Sequence, residues 1–152
     1  MAQKTTPPSA AMALLGVIEP DATATGDHST GWISMADTQA IMAVILAGAL
    51  GATATIDAKI EQATDETGAN AKDVTGAAIT QLTKAAGDDN KQAVIELWGE
   101  DLDIKNDFSH VRLTVSVGVA NSDVGAMVIG THPRQGPASD LNLASVAEIV
   151  TL

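Results

Sequence analysis

Residues 111–119 alternate between apolar and polar side chains without a break, and this constrains the fold more than any other feature of the chain. A period of two places alternate side chains on opposite faces of a β-strand, so one face of this segment is buried and the other faces solvent. The same alternation recurs over 54–61. The apolar members of the two segments are Val111, Leu113, Val115, Val117 and Val119, and Ala54, Ile56, Ala58 and Ile60.

Shorter apolar segments bounded by turn residues predict further strands. They lie at 14–18, 31–34, 78–83, 92–98 and 124–130. The turn at 121–123 predicts that the last of these folds back onto 111–119 as a β-hairpin. About seven to eight regularly spaced strands, without a strand–helix alternation, predict an all-β fold, namely an antiparallel β-sandwich or a jelly-roll-like domain.

Residues 40–50 form the most apolar run of the chain, and two interpretations stay open. Ala, Met and Leu favour a helix, but the run is short and is bounded by Gly48 and Gly51. A continuous apolar run is also typical of a strand that is covered on both faces. We predict a strand, with a helix as the alternative. The run has about half the length that a membrane helix needs, so we expect no membrane span.

The two ends of the chain differ in composition from its middle. Residues 1–12 are rich in Thr, Pro, Ser and Ala, which predicts an extended arm before a sandwich domain at 13–138. Residues 139–152 form a tail, either a short amphipathic helix or a strand added to a neighbour's sheet. Its apolar side chains would be exposed to water unless they dock. The expected partner contacts are Pro7, Pro8, Arg134, Leu141, Leu143, Val146 and Ile149.

The net charge of −11, from 19 acidic and 8 basic residues, bears on the partners of the chain. A field of this sign repels nucleic-acid phosphates and anionic membranes. The basic residues are scattered, so we expect neither nucleic-acid nor membrane binding. The chain has no cysteine, which excludes disulfides, thiolate catalysis and Cys-based metal sites.

No residue pattern in the chain indicates catalysis or a cofactor. His28, His110 and His132 are far apart in sequence and have no metal-ligand spacing. The acidic segment 101–107 has a faint likeness to a calcium loop, but it lacks the central Gly and closing Glu and carries Lys105 at a ligand position. We therefore expect a protein that is not an enzyme and that holds no metal or cofactor.

Three segments resemble a family of small β-sandwich proteins encoded among the virion genes of tailed bacteriophages. They are IEQATD (60–65) with DVTG (73–76), DLD (101–103) with FSHVRL (108–113), and VIG (128–130) with PRQGPAS (133–139). The resemblance implies a virion component that decorates or cements the capsid. Its implied partners are the major capsid protein and copies of itself, and its implied location is the virion, after assembly in the bacterial host cytoplasm.

Two other functions stay open at this point. One is a tail, connector or fibre-associated structural protein of the same kind of virion. The other is a carbohydrate- or receptor-binding β-sandwich module. The second is disfavoured by composition, because ligand pockets commonly use aromatic rings and the chain has only Trp32, Trp98 and Phe108.

Overall fold

Two antiparallel sheets contain the regular structure of the chain. The computed structural model describes residues 6–152. These residues form eleven strands: β1 (Met12–Ile18), β2 (Ala22–Thr23), β3 (Gly26–Ser29), β4 (Ile33–Ser34), β5 (Thr38–Ala47), β6 (Thr55–Ala63), β7 (Lys72–Ala78), β8 (Leu82–Thr83), β9 (Gln92–Trp98), β10 (His110–Gly118) and β11 (Ser122–Pro133). Short 3₁₀ turns lie at Pro8–Ala10, Gly99–Asp101, Ile104–Asn106 and Ala138–Leu141.

The strand order is that of a jelly roll. The first sheet has the order β1-β11-β5-β9, and β2 adds a short pairing to β11. The second has the order β3-β10-β6-β7, with β4 also on β10 and β8 also on β6. When β3 with β4 and β7 with β8 are each taken as one edge, eight principal strands form two four-stranded layers. The predicted all-β antiparallel sandwich of jelly-roll type is confirmed.

Branched aliphatic side chains fill the space between the two sheets. The inner face of β10 contributes Val111, Leu113 and Val115, which are completely buried. Burying one such side chain stabilises the fold by about 1.5–3 kcal/mol. Phe108 is the only aromatic residue of the core among the described residues. The alternation that predicted β6 and β10 therefore reflects one buried face per strand.

The predicted hairpin between 111–119 and 124–130 is wrong. β10 pairs with β3, β4 and β6 in the second sheet, whereas β11 pairs with β1, β2 and β5 in the first. The connection between them crosses from one sheet to the other, and Val119 turns the chain with a φ of +70°. Alternation shows which face of a strand is buried, but strands of both sheets bury the same kind of face, so it does not identify the neighbouring strand.

Residues 78–83 do not form the predicted strand. The chain instead forms β7 and β8, and 79–81 lie between them. The buried residues of β7 are Val74 and Ala77, which are three positions apart rather than two, and Gly76 between them has a φ of +83°. A register shift in the β6–β7 pairing accompanies this irregularity. The bulge removes the alternation by which the strand would be recognised.

The other predicted strands are confirmed with shifted ends. β9 has the predicted bounds, and β1 begins two residues early. Only Ile33–Ser34 of the predicted segment 31–34 forms a strand. β11 begins inside the predicted turn at 121–123 and ends at Pro133, three residues beyond the predicted segment 124–130.

Residues 40–47 of the apolar run lie in the central strand β5 and no part of the run is helical, so the helical alternative is wrong. Residues 6–152 contain no helix of the length and hydrophobicity that a membrane crossing requires. The inner face of β5 is fully buried by the second sheet, through side chains such as Ile41 and Ile45. Its outer face is also apolar, yet Leu46 is exposed there. The described chain therefore covers one face of a strand whose sequence predicted cover on both.

The tail forms neither the predicted helix nor a strand. After the 3₁₀ turn Ala138–Leu141 it runs beside β1 without regular structure. The Leu14 N–H donates to the Asn142 side-chain oxygen, and the Leu143 N–H donates to the Leu14 carbonyl. In this arrangement the tail occupies part of the free edge of β1 in its own chain.

Candidate docking surfaces

The outward face of the first sheet is apolar across all four principal strands. In the registered rows, Val17, Met127, Val44 and Val94 lie side by side, because directly paired residues of antiparallel strands point to the same face. The neighbouring rows continue this face through Leu14, Ile129 and Met42 on one side and through Leu46 on the other, and on β9 they end at Glu96 and Gln92. We call this surface the outer apolar face; it comprises Met12, Leu14, Val17, Met42, Val44, Leu46, Val94, Trp98, Met127 and Ile129.

Exposure shows that this face lacks a cover in the described chain. Among large hydrophobic residues, Met12, Leu46, Val94 and Trp98 are 40–52% exposed. Contiguous exposed apolar surface of this kind marks interaction sites in soluble proteins. Residues 6–152 contain nine exposed large hydrophobic residues, and seven of them lie at two places. Four are the residues of the outer apolar face just named. The other three belong to the tail and are Ile149, Val150 and Leu152. Exposed apolar surface is therefore concentrated at two places.

Charge is almost absent from the outer apolar face, although the chain carries −11. Within its registered rows, Glu96 is the only ionisable side chain. The carboxylates of the protein are thus concentrated elsewhere. A surface without charge loses little hydration free energy when it is covered, so it is suited to docking.

The outward face of the second sheet is polar and carries several ion pairs within the chain. The Glu61 carboxylate accepts a hydrogen bond from Arg112 Nε at 2.8 Å and another from the Thr114 hydroxyl at 2.7 Å. Lys59 Nζ lies 2.7 Å from the Asp73 carboxylate. Burial alone would raise the pKa of Glu61, but the hydrogen bonds from Arg112 and Thr114 outweigh it and hold that pKa below its usual value.

One ring face of Trp32 is covered by this network. The Arg112 guanidinium lies 4.6 Å from the centre of the indole ring, in a cation–π contact. The loop at Gly68 approaches the edge of the same ring. Trp98, on the other sheet, lies 5.0 Å from the His132 ring. Both tryptophans are therefore engaged by neighbouring side chains.

The arm and the tail meet in a second candidate surface, which we call the terminal groove. It has a volume of about 580 Å³ and is lined by Thr6, Pro7, Pro8, Ser9, Ile149, Val150, Thr151 and Leu152. Pro7 and Pro8 are exposed, and Ile149 is 48% exposed. The structure thus brings together three of the predicted contact residues from opposite ends of the chain. Residues 1–5 of the predicted arm lie outside the described residues.

The remaining predicted contact residues are Arg134, Leu141, Leu143 and Val146. Leu141 and Arg134 line a shared cavity of about 330 Å³, and the Arg134 N–H donates to the Asp37 carbonyl. The Arg134 side chain is exposed and has no ion pair with any of the residues 6–152. Leu143 and Val146 are half-buried along the tail. That Arg134 contacts a partner stays a prediction.

Sequence reasoning missed the outer apolar face, although a signal was present. The uninterrupted apolar run at 40–50 already required cover on both sides. The signal was incomplete because the other members of the face come from β1, β9 and β11, and strand pairing brings them together. Without the pairing, Leu14 and Val94 are ordinary alternating residues of separate strands.

Two carboxylates of the acidic segment 101–107, those of Asp101 and Asp103, accept hydrogen bonds within the chain. No group of three His, Asp or Glu side chains is placed to hold a metal ion within residues 6–152. In the acidic segment, the Asp101 carboxylate accepts the Trp98 N–H at 2.8 Å. The Asp103 carboxylate is bound by Lys72 and Asn106, which hold its pKa below the usual range.

Three solved structures are similar to this chain in fold. A structure described as CBM4 structure and function is 16% identical over 81% of this chain and 71% of its own, with a TM-score of 0.39. A structure of Broad Bean Stain Virus is 9% identical over 90% of this chain and 95% of its own, with a TM-score of 0.39. A structure of TmCBM61 in complex with beta-1,4-galactotriose is 12% identical over 80% of this chain and 88% of its own, with a TM-score of 0.33.

No protein-family model matches the chain, and no curated protein matches it. The three structures are a virus and two carbohydrate-binding modules, all with β-sandwich folds. Because their TM-scores lie below 0.5, these structures carry no argument about this chain. The function is therefore argued from the surfaces of this chain.

Proposed function

We propose that this chain is a structural virion protein of a tailed bacteriophage that decorates or cements the capsid by binding the major capsid protein through its outer apolar face. The observation that carries the proposal is an uncovered and almost uncharged sheet face on a chain with a net charge of −11. The sequence resemblance to small virion sandwich proteins supports the identity of the partner. The proposal assigns no catalytic step, metal or cofactor to the chain.

The size of the outer apolar face indicates how it would bind. Four strands about 4.8 Å apart and about seven residues long, at about 3.3 Å per residue, span roughly 400 Å². One partner of a standard protein interface contributes about 800 Å². A single face is therefore too small for tight binding alone, and further contacts or several linked copies are needed.

The terminal segments are the proposed source of those further contacts. The terminal groove places Pro7, Pro8 and Ile149 on one surface. Leu141, Leu143 and Val146 follow the free edge of β1, which borders the outer apolar face. Arg134 is a basic side chain available for an acidic group of the capsid protein. In this arrangement the arm and tail extend the contact area beyond the sheet.

Counting copies on a capsid shell tests the proposal. Empty shells are prepared from the major capsid protein whose gene lies nearest to the gene of this chain, mixed with the purified chain and sedimented. Decoration predicts co-sedimentation with on the order of hundreds of copies per shell, set by the shell's symmetry. A dozen copies or fewer would support the tail or connector alternative instead, and no co-sedimentation would contradict capsid binding.

A further inference from the structure

The four outermost edges of the two sheets differ in how they are protected. The edge strand β1 is partly covered by the tail, because both backbone groups of Leu14 are hydrogen-bonded to 142–143. On the second sheet, one edge is divided into the short strands β3 and β4, and the other is divided into β7 and β8 and carries a bulge. Interruption, bulging and covering are the usual ways in which proteins prevent edge strands from pairing.

Within residues 6–152, the edge strand β9 has none of these protections. It pairs with β5 over seven consecutive residues without a register shift. Its sequence, QAVIELW, contains no Pro, Gly or Lys. An unprotected, regular edge is a template for pairing with another strand.

The hydrogen bonds of β9 show which backbone groups point away from the sheet. The Ala47 N–H donates to the Lys91 carbonyl, so odd-numbered residues of β9 face β5. The N–H and C=O groups of Gln92, Val94 and Glu96 therefore point to the free edge. Trp98 has the same orientation, and its N–H is already bound by the Asp101 carboxylate at 2.8 Å. The free edge is thus limited to three residues.

We propose that β9 pairs antiparallel with β9 of a second copy of this chain, about a two-fold axis through Val94. This register makes Val94 its own partner and places Gln92 opposite Glu96 of the other copy on both sides of the axis. All three free residues are then used, with two hydrogen bonds per pair. Pairing Glu96 with its own copy would instead place like charges opposite each other, which destabilises a sheet.

The chemistry of the facing side chains favours a second copy as the occupant. The Gln92 side-chain amide, which now donates to the Asn90 carbonyl, is a neutral donor suited to the Glu96 carboxylate. Val94 is 52% exposed and would meet Val94 of the second copy. A two-fold interface of this kind is self-complementary, as isologous interfaces must be.

The pairing would also enlarge the outer apolar face. A two-fold axis perpendicular to the sheet keeps both outer faces on the same side, so the first sheets of two copies join into one. The combined face spans roughly 800 Å², which matches one partner's share of a standard interface. The inference deepens the proposed function, since it names the edge through which copies meet, but its test needs no capsid.

Sedimentation equilibrium of the purified full-length chain tests the pairing. The wild-type chain is expected to be a dimer in equilibrium with monomer. Gln92→Glu places two carboxylates opposite each other twice per dimer and should weaken the dimer about tenfold, whereas Gln92→Lys should strengthen it about tenfold. Gln39 is an exposed residue of β5, and the substitutions Gln39→Glu and Gln39→Lys are the matched controls. Neither of them should change the dissociation constant of the dimer.

Three outcomes would overturn the pairing. One is a wild-type chain that stays monomeric at all concentrations. Another is a dimer that responds equally to substitutions at Gln92 and Gln39. The third is a dimer that is abolished by Leu46→Lys on the outer apolar face but is indifferent to Gln92, which would indicate face-to-face stacking. Because no shell is present, failure here leaves capsid binding to be judged by its own test.

Discussion

At the scale of single residues, the packing around Trp32 shows how a loop is fixed to the second sheet. Gly68 has a φ of +85°, and a Cβ there would lie 2.5 Å from the indole nitrogen. The Asp65 carboxylate accepts hydrogen bonds from Thr67 and Ala69, which holds the pKa of Asp65 below its usual value. One face of the ring is covered by Arg112. The loop and the ion pair therefore form one cluster.

Gly68→Ala tests this cluster against Gly87→Ala. Gly87 also has a positive φ, of +76°, but nothing lies near its Cβ position. Gly87→Ala should cost about 1–2 kcal/mol through backbone strain alone. Gly68→Ala should cost at least about 1 kcal/mol more, because the methyl group displaces Trp32. Urea unfolding measures both, and equal losses would show that the contact with Trp32 contributes nothing.

Single residues also show where sequence reasoning ends. That Gly68 lies in a loop is evident from its neighbours in the sequence. The sequence does not show that this loop closes on Trp32, because Gly68 and Trp32 are far apart in sequence and neither residue has a pattern that identifies the other. Contacts of this kind depend on strand pairing and follow only once the topology is known.

At the scale of elements, β5 shows which structural features hydrophobic periodicity predicts and which it does not. Its apolar run predicted a strand with two apolar faces, which the structure confirms in residue placement. Periodicity could not show that only one face is covered within the chain. It also could not show that β10 and β11 belong to different sheets, since each has the same buried alternation. The irregular strand β7 had no periodic signal at all.

Neighbouring substitutions in β5 distinguish its two faces. Ile45 is completely buried, and Ile45→Ala should reduce the free energy of unfolding by about 2–5 kcal/mol. Leu46 is 40% exposed, and Leu46→Ala should reduce it by less than about 1 kcal/mol in the isolated chain. Urea unfolding of the two variants is the measurement. A large loss for Leu46→Ala would mean that the outer apolar face is already covered in solution.

At the scale of the whole molecule, charge and apolar surface are segregated. Most of the acidic residues lie in turns and loops or on the second sheet, and several of them have cationic partners. In the turn before β9, Asp88 and Asp89 are hydrogen-bonded to Lys91 and Lys84, and these bonds hold the pKa of each carboxyl below its usual value. The outer apolar face is left almost free of charge.

This segregation predicts an acid-sensitive fold. The carboxyl groups of Glu61, Asp88 and Asp89 have lowered pKa values in the folded chain, so the unfolded chain binds more protons as the pH falls. Their contribution to stability is fully present at neutral pH and should be lost below about pH 4. Urea unfolding across pH measures it, and Asp88→Asn should flatten the dependence. Constant stability down to pH 2 would contradict the ion-pair account.

Binding of Leu46→Lys to empty capsid shells tests the central claim most directly. Leu46 lies on the outer apolar face, and Lys at this exposed position should leave the fold intact, as circular dichroism can verify. Thr75→Lys, at an exposed position of β7, adds the same charge elsewhere and is the matched control. The account predicts that Leu46→Lys abolishes co-sedimentation with the shells while Thr75→Lys binds like the wild type. Equal binding by both variants would contradict it.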